Sequence, residues 1–245
     1  MTSLSSLFRD LIDANLCLAC GQDLRDNGVP YWARPRVAGP GDLLAESRRW
    51  LCPSCLARLP YREGNWSYLP YSRIPYATVF DFEGPVRELI VGLKFSGKKA
   101  AAQLLALFAV QKLQTLAYMP DYLVALPLHP NRERRRSYNQ AQLITRAMAE
   151  YLDCPCLEDF LIRTRDTLAQ SSLEGFQARF LNLEGAFGLS EDPGQSLQGA
   201  KLLLLDDVMT SGASCLNAGR ALKTCGAHVR VLCIAEQAWE PARDF

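Results

Sequence analysis

The sequence lacks three features that each define a large class of proteins. None of its apolar runs reaches the ~18 residues that a membrane-spanning helix needs. Its 27 basic and 26 acidic residues leave a formal net charge of +1, which argues against a protein dedicated to coating nucleic acid. The first residues carry Arg9, Asp10 and Asp13 among leucines, unlike a secretory signal peptide. We therefore expect a cytoplasmic protein without a membrane span.

The length of 245 residues, 49% of them apolar, allows one large domain or a main domain with a small one. There is no internal repeat. Residues 1–60 contain two cysteine pairs and a loop rich in glycine, proline and arginine, and they differ in composition from the rest. The sequence therefore predicts a small unit over 1–60 and a main domain over 61–245.

Nine cysteines are many for a cytoplasmic chain, but their odd number and uneven spacing fit a disulfide framework poorly. Four form two Cys-x2-Cys pairs: Cys17, Cys20, Cys52 and Cys55. Each pair can place two thiolates on one side of a tight turn, and two pairs can make a tetrahedral site. We expect a structural zinc ion, because four thiolates leave no open position for catalysis. A redox role is the alternative, and a nucleic-acid-binding or partner-binding ribbon would be an extension of the zinc unit.

Apolar periodicity predicts alternating strands and helices along the main domain. The expected strands are 76–83, 122–128, 160–162, 202–205 and 229–235. Four helices are expected. One follows Pro85, one spans 100–116, one begins near Tyr138 with Ser137 and Gln140 as a capping box, and one spans 213–224. Residues 163–185 lack a period and predict a long mobile loop. This order is typical of an α/β fold with a parallel sheet.

Residues 202–214 carry the strongest functional signal. Four leucines form a buried strand, and Asp206 and Asp207 are expected to close it at the carboxyl end, where ligands bind in α/β sheets. Hydroxyl groups and backbone amides then lie at a helix N-terminus, which suits a phosphate. The two acids suit ribose hydroxyls, so the segment predicts a ribose 5-phosphate site. The alternative is a strand end capped by solvated acids.

A second motif suggests a nucleotide triphosphatase. Residues 92–98 have the glycine spacing of a Walker A loop. Lys99, however, stands where a Ser or Thr must hold magnesium, and the preceding residues have the period of a helix rather than a strand. We therefore treat this match as accidental.

Basic residues suggest where a diphosphate would bind. Arg132, Arg134 and Arg136 precede the helix near Tyr138 and are expected at the same sheet edge as Asp206. DNA phosphate competes for the same charges, and a solvated face is the remaining alternative. Lys94 is expected either over this pocket or on the surface.

Residues 202–214 resemble the phosphoribosyl diphosphate (PRPP) motif of type I phosphoribosyltransferases. Two further blocks extend the resemblance to the ComF family over nearly the whole chain, including both cysteine pairs. One runs from Leu126 to Ala141, and the next contains Arg163, Thr167, Gln170, Leu173, Arg179, Asn182 and Phe187. Ser137, Tyr138, Ser211 and Ser214 depart mildly from the pattern. Hydroxyl groups are kept, so phosphate binding is not in doubt.

The resemblance implies a type I phosphoribosyltransferase fold with an N-terminal zinc ribbon, and PRPP carried with magnesium. It implies Asp206 and Asp207 as catalytic residues. It further implies a PRPP site made of Asp206, Asp207, Val208, Met209, Thr210, Ser211, Gly212, Ala213, Ser214, Arg132, Arg134, Arg136 and Lys94.

Two functions remain open from the sequence. One is transfer of a phosphoribosyl group to an acceptor that the sequence does not reveal. The other, implied by the family, is a non-catalytic role in DNA uptake and natural transformation, with single-stranded DNA or recombination proteins as partners. Aromatic and basic residues that could stack bases interleave at Tyr61, Arg62, Trp66, Tyr71 and Arg73. A linker packed on the core is the alternative for this stretch.

Overall fold

A computed structural model describes residues 16–24, 47–128, 138–165, 181–190 and 196–237. The described helices are α1 (Pro53–Ala57), α2 (Gly84–Phe95), α3 (Ala100–Thr115), α4 (Gln140–Leu152) and α5 (Ala213–Lys223). The strands are β1 (Ser67–Tyr68), β2 (Pro75–Asp81), β3 (Tyr122–Ala125), β4 (Leu161–Arg163), β5 (Phe187–Leu189), β6 (Lys201–Met209) and β7 (His228–Glu236).

The main sheet has five strands in the order β1-β2-β7-β6-β3. Strands β2, β7, β6 and β3 are parallel, whereas β1 adds a short antiparallel edge. The prediction of an α/β fold is therefore confirmed, with the correction that the sheet is mostly rather than wholly parallel. Parallel strands need helical crossovers, which cover both faces of the sheet.

The four leucines of β6 show how the two faces are filled. Leu203 and Leu205 pack with α2, α3 and α4, while Leu202 and Leu204 pack with α5. Both faces are apolar because successive side chains of a strand point to opposite sides and both sides are buried. Helices on both sides thus bury β6 on both of its faces.

Two local expectations from the sequence are wrong, and one observed strand is not among those expected. Strand β6 does not end at Leu205 but continues through the two aspartates to Met209. Helix α4 is capped by Asn139, whose side chain accepts from the Ala141 amide at 3.0 Å, rather than by Ser137, which lies outside the described residues. Strand β5 is not among the expected strands; it pairs with β4 as an antiparallel hairpin apart from the main sheet. Most of the stretch expected as a mobile loop over 163–185, residues 166–180, lies outside the described residues.

The cysteine unit packs directly on the main core. Cys17, Cys52 and Cys55 belong to the same buried apolar cluster as Leu89 and Phe108. In the described ranges, no helix combines the length and the apolar character that a bilayer crossing requires.

Candidate functional site

The carboxyl end of β6 brings together a lysine and two aspartates. Asp206 and Asp207 occupy successive strand positions, so their side chains point to opposite faces of the sheet. Asp207 faces α2, where Lys94 Nζ lies 2.9 Å from its Oδ2. The Lys94 side chain is only 18% exposed and that of Asp207 only 14%, so little water reaches this ion pair and the attraction between the two charges is stronger than on the surface. Lys94 therefore lies beside the two aspartates and is not a freely exposed surface charge.

Asp206 faces α5 and has a different environment. Its Oδ1 accepts the Asp207 amide at 2.8 Å, and its Oδ2 lies 3.7 Å from the Cys215 thiol, which donates to it. Burial raises the pKa of Asp206 to about 7; the negative charge of Asp207 adds to the shift and the positive charge of Lys94 opposes it. The two carboxylates thus have distinct electrostatic roles, one ion-paired and one titrating near neutral pH.

The N-terminus of α5 follows directly. Gly212 has φ +76°, a left-handed conformation that glycine adopts without strain, and a Cβ there would come within 3.4 Å of Leu69 Cδ2. The Ser211 hydroxyl is buried and accepts the Ala213 amide at 3.5 Å, so it supports the start of the helix. Backbone amides in the first helical turn lack carbonyl partners in the helix and can bind an anion.

Side chains along the predicted motif do not all reach this edge. Met209 and Ala213 are buried in the apolar cluster under α5, so only their backbone is available to a ligand. Val208 and Ser214 are partly buried, and Thr210 is exposed. The motif therefore presents mostly backbone groups, together with the Thr210 hydroxyl and the two carboxylates.

Arg132, Arg134 and Arg136 lie outside the described residues. The chain on either side of them is tied to the carboxyl edge of the sheet. Leu126 donates its amide to Leu205 O at 2.8 Å, and Asn139 Nδ2 donates to Leu126 O at 2.9 Å. Tyr138 donates its hydroxyl to Leu93 O at 2.5 Å, one residue from Lys94.

Cys215 is a site residue that the sequence reasoning missed, because its position indicated only a small buried residue. Its Sγ lies 3.9 Å from the Sγ of Cys233, the residue paired with Asp206 on β7. The sequence did contain a signal for this contact. Cys215 lies in the first turn of the helix that follows β6, and a residue at that position lies close to the carboxyl end of the strand. Two thiols therefore line the inner side of Asp206.

The four paired cysteines converge as predicted. Their sulfur atoms all lie within 4.8 Å of one another, and Cys20 Sγ is 3.8 Å from Cys52 Sγ. A tetrahedral zinc site with Zn–S bonds of about 2.3 Å requires sulfur atoms roughly 3.8 Å apart. The Cys55 amide donates to Cys52 Sγ at 3.4 Å, which would stabilise a thiolate. The four residues thus have the ligand type and spacing of a zinc ribbon.

Burial, followed by the charge of neighbouring Cys17, raises the pKa of the Cys55 thiol far above its ordinary value. Crowded buried thiols cannot all ionise without a cation among them, so this arrangement favours metal binding over four free thiolates.

Comparison with known proteins identifies the family. The chain is 31% identical over 230 residues to the DNA utilization protein YhgH of Escherichia coli O6:H1, covering 89% of this chain and 96% of that protein. The chain belongs to the ComF family. Over shorter stretches it is 31% identical to competence protein F of Haemophilus influenzae, covering 44% of this chain and 46% of that protein. It is 27% identical to competence protein ComFC of Streptococcus pneumoniae, covering 63% and 64%. No family model matches the chain.

Solved structures similar to this ComF protein include adenine phosphoribosyltransferases. The enzyme of Leishmania donovani aligns with a TM-score of 0.39 at 11% identity, covering 63% of this chain and 75% of that one. The Trypanosoma brucei enzyme aligns with a TM-score of 0.39 at 12% identity, covering 60% and 68%. These scores are too low to carry a functional conclusion.

Proposed function

We propose that this ComF protein binds PRPP with magnesium at the carboxyl end of β6 and acts as a phosphoribosyltransferase. The observation that supports this most is the largely buried Lys94–Asp207 ion pair, which lies beside Asp206 immediately before the N-terminus of α5. A cation, a carboxylate and a helix N-terminus at one sheet edge match the three parts of PRPP: diphosphate, ribose and 5-phosphate.

The positions of the side chains suggest how these parts are divided. Amides at the start of α5, with Thr210, would bind the 5-phosphate. Asp206 lies on the face of α5 and would accept hydrogen bonds from ribose hydroxyls. Asp207 lies on the other face, so we assign it to orienting Lys94 towards the diphosphate. This differs from the expectation that both acids hold the ribose.

The reaction would break the bond between C1 of the ribose and the diphosphate as a nitrogen nucleophile attacks C1. Magnesium on PRPP would neutralise part of the diphosphate charge. Lys94, with Arg132, Arg134 and Arg136, would stabilise the charge that develops on the leaving group. Positioning and charge stabilisation would provide most of the acceleration.

Isothermal titration calorimetry tests this proposal. We expect PRPP with magnesium to bind the wild type, and Asp206→Asn and Lys94→Met to bind at least about tenfold more weakly, since each removes a charged contact of roughly 1.4 kcal/mol or more. Asp81→Asn is the matched control, because Asp81 ends the neighbouring strand β2 and pairs with Arg62. Absence of binding to the wild type would overturn the proposal.

We also propose structural zinc bound by Cys17, Cys20, Cys52 and Cys55. Four thiolates complete the tetrahedral coordination, so this ion would have no position for substrate. Its role would be to hold the two Cys-x2-Cys turns together against the core.

Binding of single-stranded DNA is a second proposed function, which the names of the relatives favour. Its structural support is a cluster of aromatic and basic side chains: the Arg230 guanidinium lies 4.7 Å from the ring centre of Trp66 and 4.3 Å from that of Tyr118. Both rings are partly buried against the core, whereas Tyr68, two residues after Trp66 in the chain, is 66% exposed. Aromatic rings beside cations suit stacked bases. Tyr61 packs against Phe80 and Arg62 pairs with Glu236, although Tyr61 remains 47% exposed.

Fluorescence anisotropy of labelled single strands at two salt concentrations tests this function. We expect Tyr68→Ala and Tyr71→Ala to weaken binding, because both rings are largely exposed. Leu181→Ala removes an equally exposed apolar side chain elsewhere and should leave binding unchanged. Binding that is absent in the wild type, or insensitive to both tyrosines, contradicts the proposal.

A further inference from the structure

The turn between α2 and α3 lies against the cysteine unit. Lys98, in this turn, donates its ammonium group to the carbonyl oxygen of Leu18 at 3.1 Å. Leu18 stands between Cys17 and Cys20 and is buried. Its own amide donates to Trp50 O at 2.9 Å, two residues before Cys52. The carbonyl that receives Lys98 is therefore held by the backbone next to both cysteine pairs.

The stem of Lys98 is fitted to the end of α2. The Lys98 amide donates to Gly92 O at 3.3 Å, and a Cβ at Gly92 would lie 3.0 Å from Lys98 Cδ and 3.7 Å from its Cβ and Cγ. Glycine at this helical position thus leaves the space that the lysine stem occupies. Glycine normally weakens a helix by about 1 kcal/mol relative to alanine. Packing of the Lys98 stem explains why Gly92 is nevertheless present in α2.

The same last turn of α2 carries Lys94, whose ammonium group lies 2.9 Å from Asp207. Two contacts hold this turn from outside: Lys98 connects it to the cysteine unit, and Tyr138 donates to Leu93 O. A continuous path of packed and hydrogen-bonded groups therefore runs from the cysteine cluster to the candidate site.

We propose that Lys98 is a positioning residue, through which the metal-loaded cysteine unit fixes the end of α2 so that Lys94 is aligned with Asp207 and the diphosphate. This inference rests on the proposed function. Coupling between the cysteine cluster and the candidate site requires a structural element with two states, and the metal-loaded and metal-free cysteine unit would be these two states. Bound metal would join the two cysteine turns, and its loss would release the Leu18 carbonyl. Zinc in this protein would then set ligand affinity as well as stability.

The test compares two lysine variants of the full, metal-loaded chain. Lys98→Met keeps an apolar stem and removes the donor to Leu18. Lys112→Met is the matched control, because the Lys112 ammonium group likewise donates to backbone carbonyls, Arg62 O at 2.8 Å and Gly64 O at 3.1 Å. Gly92→Ala is a second variant, which displaces the Lys98 stem without removing its charge.

We expect Lys98→Met and Gly92→Ala to bind PRPP with magnesium about tenfold more weakly than Lys112→Met, a coupling of ordinary size between linked sites. Because linkage is reciprocal, PRPP should tighten zinc binding, measured by equilibrium competition with a chromogenic chelator, in the wild type and in Lys112→Met, and not in Lys98→Met. Equal PRPP affinities in Lys98→Met and Lys112→Met, or an equal effect of PRPP on zinc affinity, would overturn the role of Lys98.

Hydrogen exchange separates this inference from the proposed function. Amides of residues 92–99 should exchange faster in metal-loaded Lys98→Met than in Lys112→Met, with or without ligand. If the wild type does not bind PRPP, the proposed function fails, whereas faster exchange still supports the connection through Lys98. Unchanged exchange in Lys98→Met means that the cysteine unit does not hold α2 through this residue.

Discussion

At the scale of single residues, the two aspartates of one motif differ because the strand turns them to different faces. Asp207 has a cation at 2.9 Å, while Asp206 has a thiol donor and a neighbouring negative charge. The sequence could predict that both are present at one sheet edge. It could not predict that β6 continues through them, which decides what each side chain contacts.

The raised pKa of Asp206 predicts how stability depends on pH. Its value of about 7 exceeds the 3.8 of an ordinary aspartate, so between these values the folded protein binds more protons than the unfolded chain. The contribution of Asp206 to stability is therefore full below about pH 4 and is lost as the pH rises through 7. Asp206→Asn should gain stability relative to wild type between pH 5 and pH 8, as measured by urea denaturation. A difference between the two proteins that does not change with pH contradicts this.

Removal of Lys94 should leave Asp207 as an unpaired, largely buried carboxylate. We expect Lys94→Met to lower the free energy of unfolding by about 1–3 kcal/mol, and Lys94→Met/Asp207→Leu to recover part of the loss because no buried charge remains. A double-mutant cycle by chemical denaturation measures the coupling. Additive effects of the two substitutions would show that the ion pair contributes nothing.

At the scale of elements, apolar periodicity predicted the core helices and parallel strands. Each of these elements buries one or more faces, and the spacing of apolar residues in its sequence shows which faces are buried. Helix α3, apolar on most sides, is buried along most of its length. The edge strand β1 and the hairpin strand β5 carry no such pattern. They have two and three residues, and cross-strand pairing rather than local sequence stabilises them.

The cap of α4 provides a test at this scale. Asn139 is buried, accepts the Ala141 amide and donates to Leu126 O, which joins the helix to the end of β3. Asn139→Ala should reduce the free energy of unfolding by about 2 kcal/mol, because both the cap and a buried hydrogen bond are lost. Ser137→Ala, at the cap position that the sequence suggested, should change it by much less. Thermal denaturation of the two variants decides between the caps.

At the scale of the whole molecule, the small N-terminal unit expected from composition shares a core with the sheet. Cys17, Cys52 and Cys55 lie in one buried cluster with leucines of the sheet and its helices, and Lys98 adds a hydrogen bond to Leu18. The boundary near residue 60 and the cytoplasmic location stay predictions.

This shared core predicts a single unfolding transition. Chelation of the bound metal, or Cys52→Ser, should lower the melting temperature of the entire chain, because loss of the cysteine turns exposes apolar surface of the main core. Cys225→Ser is the control, since Cys225 is half-buried and its thiol donates to the backbone carbonyl of Leu222. Differential scanning calorimetry that resolves a separate low-temperature transition for the metal-free unit would contradict the prediction.

The sequence by itself determined the α/β class, the four paired cysteines that converge and the segment that carries the acids and the helix N-terminus, because each depends on a local pattern of residues. Only the tertiary structure decided which charge each aspartate meets, that Cys215 contacts Asp206, and that Lys98 joins the cysteine unit to α2. These contacts connect residues from different elements, and their partners are chosen by strand register and helix packing rather than by neighbours along the chain.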